Sequence, residues 1–463
     1  THWLQEALFE TPGVNTKVRR QATFWARQWL NAMAPSNFLL TNPVALSKAF
    51  DTGGKSLADG FKLFLDDLRN GDVQMVDRAP FVVGGNLAMT PGAVVYRNEL
   101  MELIQYTPVT PTVHAVPIVI VPPWINKYYI LDLKPEKSFI KWCVDQGLTV
   151  FVISWVNPGP QHADQDFEDY MRQGPLAALD VIKESTGEDN VHAIGYCVGG
   201  TLLSVTLAYM AANNDRRIAS VTLFAAQVDF TYAGDLQVFV DEDQLKAIEE
   251  RMAEKGYLEG KKMATAFNML RSNDLIWPYV INNYMRGKMP MAFDLLYWNS
   301  DATRMPYRMH AEYLTKLFLR NSLARGHYEI EGKPIWLNDI RLPYFVVGTA
   351  TDHVAPWKSV YKAHLSPNEV TFVLTSGGHN AGIVSEPGHP HRQFQVLTRS
   401  AGGDYVDPDT WAQLAPIHEG SWWPMWHEWL AARSSAMVKP PRMGLPKGEK
   451  NLPDAPGEYV FQH

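Results

Sequence analysis

Apolar residues recur at helical spacing early in the chain and then gather into short unbroken runs. "QATFWARQWLNAM" (21–33) and "GGKSLADGFKLFLDDLRNG" (53–71) repeat apolar positions every three to four residues, which predicts a helical region over 1–80. From residue 81 the texture changes. The runs "AVPIVIV" (115–121), "LTVFVISWV" (148–156), "NVHAIGYC" (190–197), "IASVTLFAA" (218–226), "LPYFVVGTA" (342–350) and "EVTFVLTS" (369–376) read as strands. They carry apolar residues at successive positions, so both faces of the sheet must be covered, as in a parallel sheet. Helical stretches such as "PEKSFIKWCVDQG" (135–147) and "DFEDYMRQGPLAALDVIKEST" (166–186) lie between them. The alternation predicts an α/β domain over 81–463. It breaks once, at about 229–340, where an aromatic- and Met-rich segment reads as a helical cap inserted over one end of the sheet. After the last of these strands, "GSWWPMWHEWLAARSS" (420–435) predicts an amphipathic helix.

Composition narrows the partners. Of 463 residues, 46% are hydrophobic and 20% charged, an ordinary globular balance, and the net charge is −7. No basic run is present, which argues against nucleic acid. No apolar run is long enough for a transmembrane helix. The two cysteines, Cys143 and Cys197, form no framework and no metal pair, so a reducing, cytoplasmic setting and no metal site are expected. The first residue is Thr1. We therefore expect the helical region to continue upstream.

The chemistry concentrates in "NVHAIGYCVGGTLL" (190–203). An apolar strand runs into G-Y-C-V-G and a helix follows, the setting of a nucleophile elbow with cysteine in the place of serine. Gly195 and Gly199 fit a turn where strand and helix approach too closely for a Cβ. The helix N-terminus favours a thiolate at Cys197. The backbone N–H of Val198 is placed to hold an oxyanion, and a second donor is expected from "PPWINK" (122–127), with Ile125 as the candidate. Cys143, in "SFIKWCVDQG", reads instead as core. A hydrolase-type triad needs an acid and then a histidine after the nucleophile. Asp352 in "TATDHVAPW" and His379 in "SGGHNAG" each follow a strand end and complete the order Cys197, Asp352, His379. His379 would take the Cys197 proton, and Asp352 would orient His379. His353 is a secondary candidate, and His389 and His391 read as loop residues.

These stretches, with "NLAMTPGAVVYRNELMELIQY", "PPWINKYYILDLKPEKSFIKW", "YWNSDATRMP" and "GSWWPMWHEWL", resemble the poly(3-hydroxyalkanoate) synthases over most of 81–430. The single-subunit, short-chain class fits best. The resemblance implies an α/β-hydrolase fold, a mostly parallel sheet flanked by helices, with a helical cap and a helical N-terminal region. It aligns Cys197, Asp352 and His379 with the family's nucleophile, acid and base. It also implies a homodimer at the surface of a cytoplasmic polyester granule, with granule-associated proteins as partners. Cys197 lies nearer the N-terminus than is usual in that class, which again suggests a longer N-terminal region. The substrate would be an (R)-3-hydroxyacyl-CoA and the growing polyester chain, with no cofactor, CoA thioester being substrate. Two rival readings remain open. One is a thioesterase or polyester hydrolase using the same triad with water. The other is a non-catalytic granule scaffold whose exposed aromatics and "GSWWPMWHEWL" form a binding surface.

Overall fold

All six apolar runs form strands in the computed structural model, which describes residues 13–71, 73–434, 436–446, 448 and 451–463. Residues 1–12 of the expected helical region lie outside the described residues. The main sheet has ten strands, labelled here in chain order. They are β1 (Gly92–Arg97), β2 (Met101–Tyr106), β3 (Ile118–Val121), β4 (Val150–Trp155), β5 (Val191–Tyr196), β6 (Ile218–Phe224), β7 (Tyr344–Thr349), β8 (Val370–Thr375), β9 (Gln393–Arg399) and β10 (Ile417–Glu419). Their spatial order is β1-β2-β4-β3-β5-β6-β7-β8-β9-β10. Strands β3 to β8 pair in parallel, while β1, β2, β9 and β10 add antiparallel edges. Every residue of β3, β4, β5, β7 and β8 is buried, as two covered faces require.

The four edge strands were not among the sequence expectations. In β2 the reason is polar residues at buried positions. Glu102 and Gln105 are both 0% exposed. Their partners come from the far end of the chain: Glu102 accepts the N–H groups of Glu458 and Tyr459, and Gln105 bonds Arg442 O and Gly444 N. The same tail covers the edge of β1, where Val94 N donates to Pro453 O and Ala455 N to Gly92 O. A covered edge no longer invites another strand.

By its contacts the chain divides into two compact units. One joins the described residues up to Phe81 with Lys261–Ser300; the other is Val82–Gly260 with Asp301–His463. The segment 229–340 thus contributes to both. In the first unit, helices Thr16–Ala32 and Pro43–Asp51 start on Asn15 and Asn42 caps, and Lys55–Asn70 ends on Gly71 in the left-handed region. Gly60 lets Lys55–Asn70 meet Val280–Met285: a Cβ there would lie 1.9 Å from Tyr284 O, and Tyr284 OH donates to Asp67 at 2.7 Å. Trp29, Phe50 and Phe61 stand exposed on these helices.

In the second unit, 166–186 is not one helix. Phe167–Met171 and Ala177–Thr186 are joined through a wider turn at Arg172–Leu176. Pro175 lacks an N–H, and a Cβ on Gly174 would lie 2.4 Å from the Trp155 ring. The segment 229–340 also contains a short hairpin, Tyr328–Ile330 with Lys333–Ile335, that helical periodicity did not suggest. Among the described residues, no helix is long and apolar enough to cross a membrane.

Glu102→Ala would remove the acceptor of two tail N–H groups and the partner of Arg97. A loss of about 3 kcal/mol in urea unfolding is expected, as for breaking a buried ion pair, with early cleavage of the tail in limited proteolysis.

Candidate active site

Strand β5 stops at Tyr196, and Cys197 turns the chain with φ 52° and ψ −126° into the helix Val198–Ala212. A positive φ is strained for a residue with a side chain, and packing on three sides holds it. A Cβ on Gly195 would lie 2.4 Å from Gly200 Cα, one on Gly199 2.3 Å from Val121 O, and one on Gly200 2.4 Å from Ala226 Cβ. Cys197 N donates to Phe224 O at 2.9 Å, pinning the turn to β6. The sequence reading named two of these three glycines and did not name Gly200.

The structure brings the other two candidates together. His379 Nδ1 and Asp352 Oδ2 are 2.7 Å apart. Asp352 follows the end of β7 and His379 the end of β8, though the sheet continues past β8, which the sequence reading took as the last strand. Asp352 is fully committed: Oδ1 accepts Val354 N and Ala355 N, and Oδ2 accepts Thr349 Oγ1 and His379. Burial would raise its pKa, but the His379 charge and these donors outweigh it and hold it below the usual value. Burial would lower that of His379, but the Asp352 charge and then the Cys197 charge raise it well above the usual value. The sign follows by linkage. The His379 contribution to stability is full below about pH 6.5 and fades as pH rises through the folded value. The Asp352 contribution is present above about pH 3.9 and is lost as pH falls through its lowered value.

Two backbone amides were the remaining candidates. Val198 and Ile125 are buried, and among the described residues neither backbone N–H meets an acceptor. Val198 opens the helix that follows Cys197, and the loop that carries Ile125 meets that helix where Gly199 packs on the Val121 and Pro122 carbonyls.

Some neighbours were not anticipated. Tyr196 OH donates to Asn380 Oδ1 at 2.6 Å, and its ring lies 5.9 Å from that of His379. Tyr313, half-buried, has its pKa raised by burial and further by the charge of Cys197. The signal for Tyr196 and Asn380 was their adjacency to Cys197 and His379. Nothing local marked Tyr313. The loop carrying His379 is held from behind by Trp422 Nε1 on Gly382 O and Trp423 Nε1 on Ile383 O, both at 3.0 Å. Trp422, Trp423 and Trp426 are almost wholly buried. They therefore do not offer the binding surface that the scaffold reading required of them. Cys143 is fully buried, and burial pushes its thiol pKa well up, as a core residue requires. His389 and His391 lie in a surface loop.

Comparison with known proteins bears on what this arrangement serves. Residues 1–143 match the Poly-beta-hydroxybutyrate polymerase N-terminus family, and residues 117–386 match the alpha/beta hydrolase fold. The chain is 51% identical over 464 residues to a poly(3-hydroxyalkanoate) polymerase of Methylorubrum extorquens, covering 99% of this chain and 76% of that one. The chain belongs to the poly(3-hydroxyalkanoate) polymerase family. It is 46% identical to a polymerase subunit of Rhizobium meliloti, covering 99% of this chain and 75% of the relative. Against that of Cupriavidus necator it is 40% identical, covering 96% and 76%. It is thus an acyltransferase-type enzyme of polyester synthesis, on an α/β-hydrolase fold.

Asp352→Asn tests the electrostatics of this polymerase. The His379 titration midpoint, followed by NMR of the imidazole, should fall by at least about one pH unit once the carboxylate charge is gone.

Proposed function

We propose that this polymerase consumes (R)-3-hydroxyacyl-CoA, with 3-hydroxybutyryl-CoA as the monomer, through an acyl thioester on Cys197. The observation that carries the reading is Cys197 at a strained elbow with the His379–Asp352 pair beside it. In loading, His379 takes the thiol proton and the sulfur attacks the thioester carbonyl. The oxyanion sits on the Val198 and Ile125 N–H groups. The bond to CoA sulfur breaks, and CoA leaves as a thiol with the proton from His379. In extension, His379 takes the proton of a 3-hydroxyl, and its oxygen attacks the acyl-cysteine. The C–S bond breaks and Cys197 recovers a proton.

His379, rather than Asp352, activates that hydroxyl. The Asp352 oxygens already accept four hydrogen bonds and have no further site to offer. No step calls for a metal or a further cofactor. Loading exchanges one thioester for another, so the acyl group stays activated until an alcohol accepts it. The family resemblance extends the proposal to a homodimer at the surface of a cytoplasmic polyester granule, with granule-associated proteins as partners. Exposed Trp29, Phe50 and Phe61 on the first unit support an apolar neighbour there.

The test is incubation with (R)-3-hydroxybutyryl-CoA, measuring free CoA and the acyl product. Release of CoA with insoluble polyester is expected, reduced at least about a thousandfold in Cys197→Ala. CoA release with only free 3-hydroxybutyrate would make water the acceptor and the enzyme a thioesterase.

A further inference from the structure

The loop after β3 carries Ile125, and three consecutive residues, Asp301, Ala302 and Thr303, grip it almost residue by residue. Thr303 Oγ1 donates to Trp124 O, and Thr303 N donates to Ile125 O at 3.1 Å. Asn126 pairs with Ala302 in an antiparallel bridge. Lys127 Nζ lies 2.9 Å from Asp301 Oδ1, and Tyr129 OH donates to Asp301 Oδ2 at 2.8 Å. The ion pair is nearly dry, its side chains 4% and 11% exposed, and Thr303 is 4% exposed. Gly260 lets the chain cross here, since a Cβ on it would lie 2.7 Å from Thr303 O.

The peptide group explains what such a grip does. The carbonyl of Trp124 and the N–H of Ile125 belong to one planar trans unit and point in opposite directions. A hydroxyl holding the carbonyl therefore aims the N–H the other way. The next peptide is held too, by Thr303 N on Ile125 O. On the opposite side the loop is fixed by Trp155 Nε1 on Pro122 O at 2.9 Å, and by Gly199 against the Val121 and Pro122 carbonyls. A buried ion pair contributes little net stability, because desolvation offsets its attraction. Burial indeed lowers the Lys127 pKa despite the Asp301 charge. Its use is geometric: it fixes the exit of the loop.

We propose that Thr303 is a positioning residue for acyl transfer, its hydroxyl orienting the Trp124–Ile125 peptide so that the Ile125 N–H meets the oxyanion, with Asp301 and Lys127 bracing the same loop. This rests on the acyl-cysteine reading above. It extends that reading to a strap, residues 301–303, far in sequence from every member of the triad.

The test compares two reactions of the same sulfur in the full chain. Acylation by (R)-3-hydroxybutyryl-CoA passes through an oxyanion, whereas alkylation by iodoacetamide does not. Thr303→Val keeps the shape and removes the hydroxyl. First-turnover CoA release should slow by about 10- to 100-fold, less than outright loss of an oxyanion donor. KM and the Cys197 alkylation rate should stay within about threefold, and Thr303→Ser should recover acylation to within about threefold of wild type, since it restores the hydroxyl. Three results would overturn the proposal: Thr303→Val acylating at the wild-type rate, alkylation falling in step with acylation, or Thr303→Ser as slow as Thr303→Val. If Thr303→Val does not fold, Asp301→Asn reads the same strap. Slowed acylation with unchanged alkylation supports it, and any other pattern sinks it. Failure of the acyl-cysteine reading shows separately, as undiminished CoA release by Cys197→Ala.

Discussion

An added methyl group on Gly199 would lie 2.3 Å from the carbonyl oxygen of Val121 and 2.5 Å from that of Pro122. This backbone-to-backbone contact seats the first turn of the helix Val198–Ala212 directly on the loop after β3. It brings the Val198 amide and the Ile125 loop to one place. It also holds Cys197 at φ 52°, a conformation that costs on the order of 1–3 kcal/mol and persists only where the surroundings over-determine it. Here they do. Gly195 and Gly200 allow equally close approaches on the other sides, and the helix behind them is buried on nearly every face. The strain is balanced by packing that the sheet order β4-β3-β5-β6 makes available.

The acid and base are held by a different logic, in which charge and hydrogen bonds replace close packing. A carboxylate as buried as Asp352 would be costly alone. Two amides, one hydroxyl and one imidazole satisfy it. The same bonds that make the burial tolerable fix the ring's tautomer, with Nδ1 toward the acid and the other nitrogen left for the proton in transit. Behind His379, two indole N–H groups hold the carbonyls of Gly382 and Ile383, so the loop cannot drift. The Trp-rich helix after β10 is thus part of the site's support.

The sequence was most informative where chemistry demands local patterns. Six unbroken apolar runs became the parallel core, and the Cys197 turn, Asp352 and His379 stand where their motifs put them. It was least informative where partners are distant. β2 holds Glu102 and Gln105 at fully buried positions, which no strand pattern suggests, because their hydrogen bonds come from residues 442–459. The break at Gly174-Pro175 was visible in the residues, yet apolar periodicity ran through it. Asp301–Thr303 lie within "YWNSDATRMP", which marked the family resemblance, but nothing in that stretch showed that Thr303 would meet the loop that carries Ile125. Local chemistry could be read; the buried polar pairings that brace it could not.

If acyl transfer runs through Cys197 as proposed, the choice of sulfur makes that bracing matter more. When a thioester passes to cysteine, reactant and product are alike, so little driving force is available to pull loading forward. The rate then depends on how well the oxyanion is received, and donors that must first be reoriented lose much of their effect. The loop that carries Ile125 is held by Thr303, through its hydroxyl on Trp124 O and its N–H on Ile125 O. The triad alone does not distinguish a transferase from a hydrolase. What distinguishes them is which acceptor reaches the acyl-cysteine. On the proposed route, cysteine leaves the acyl group activated enough for an alcohol to accept it.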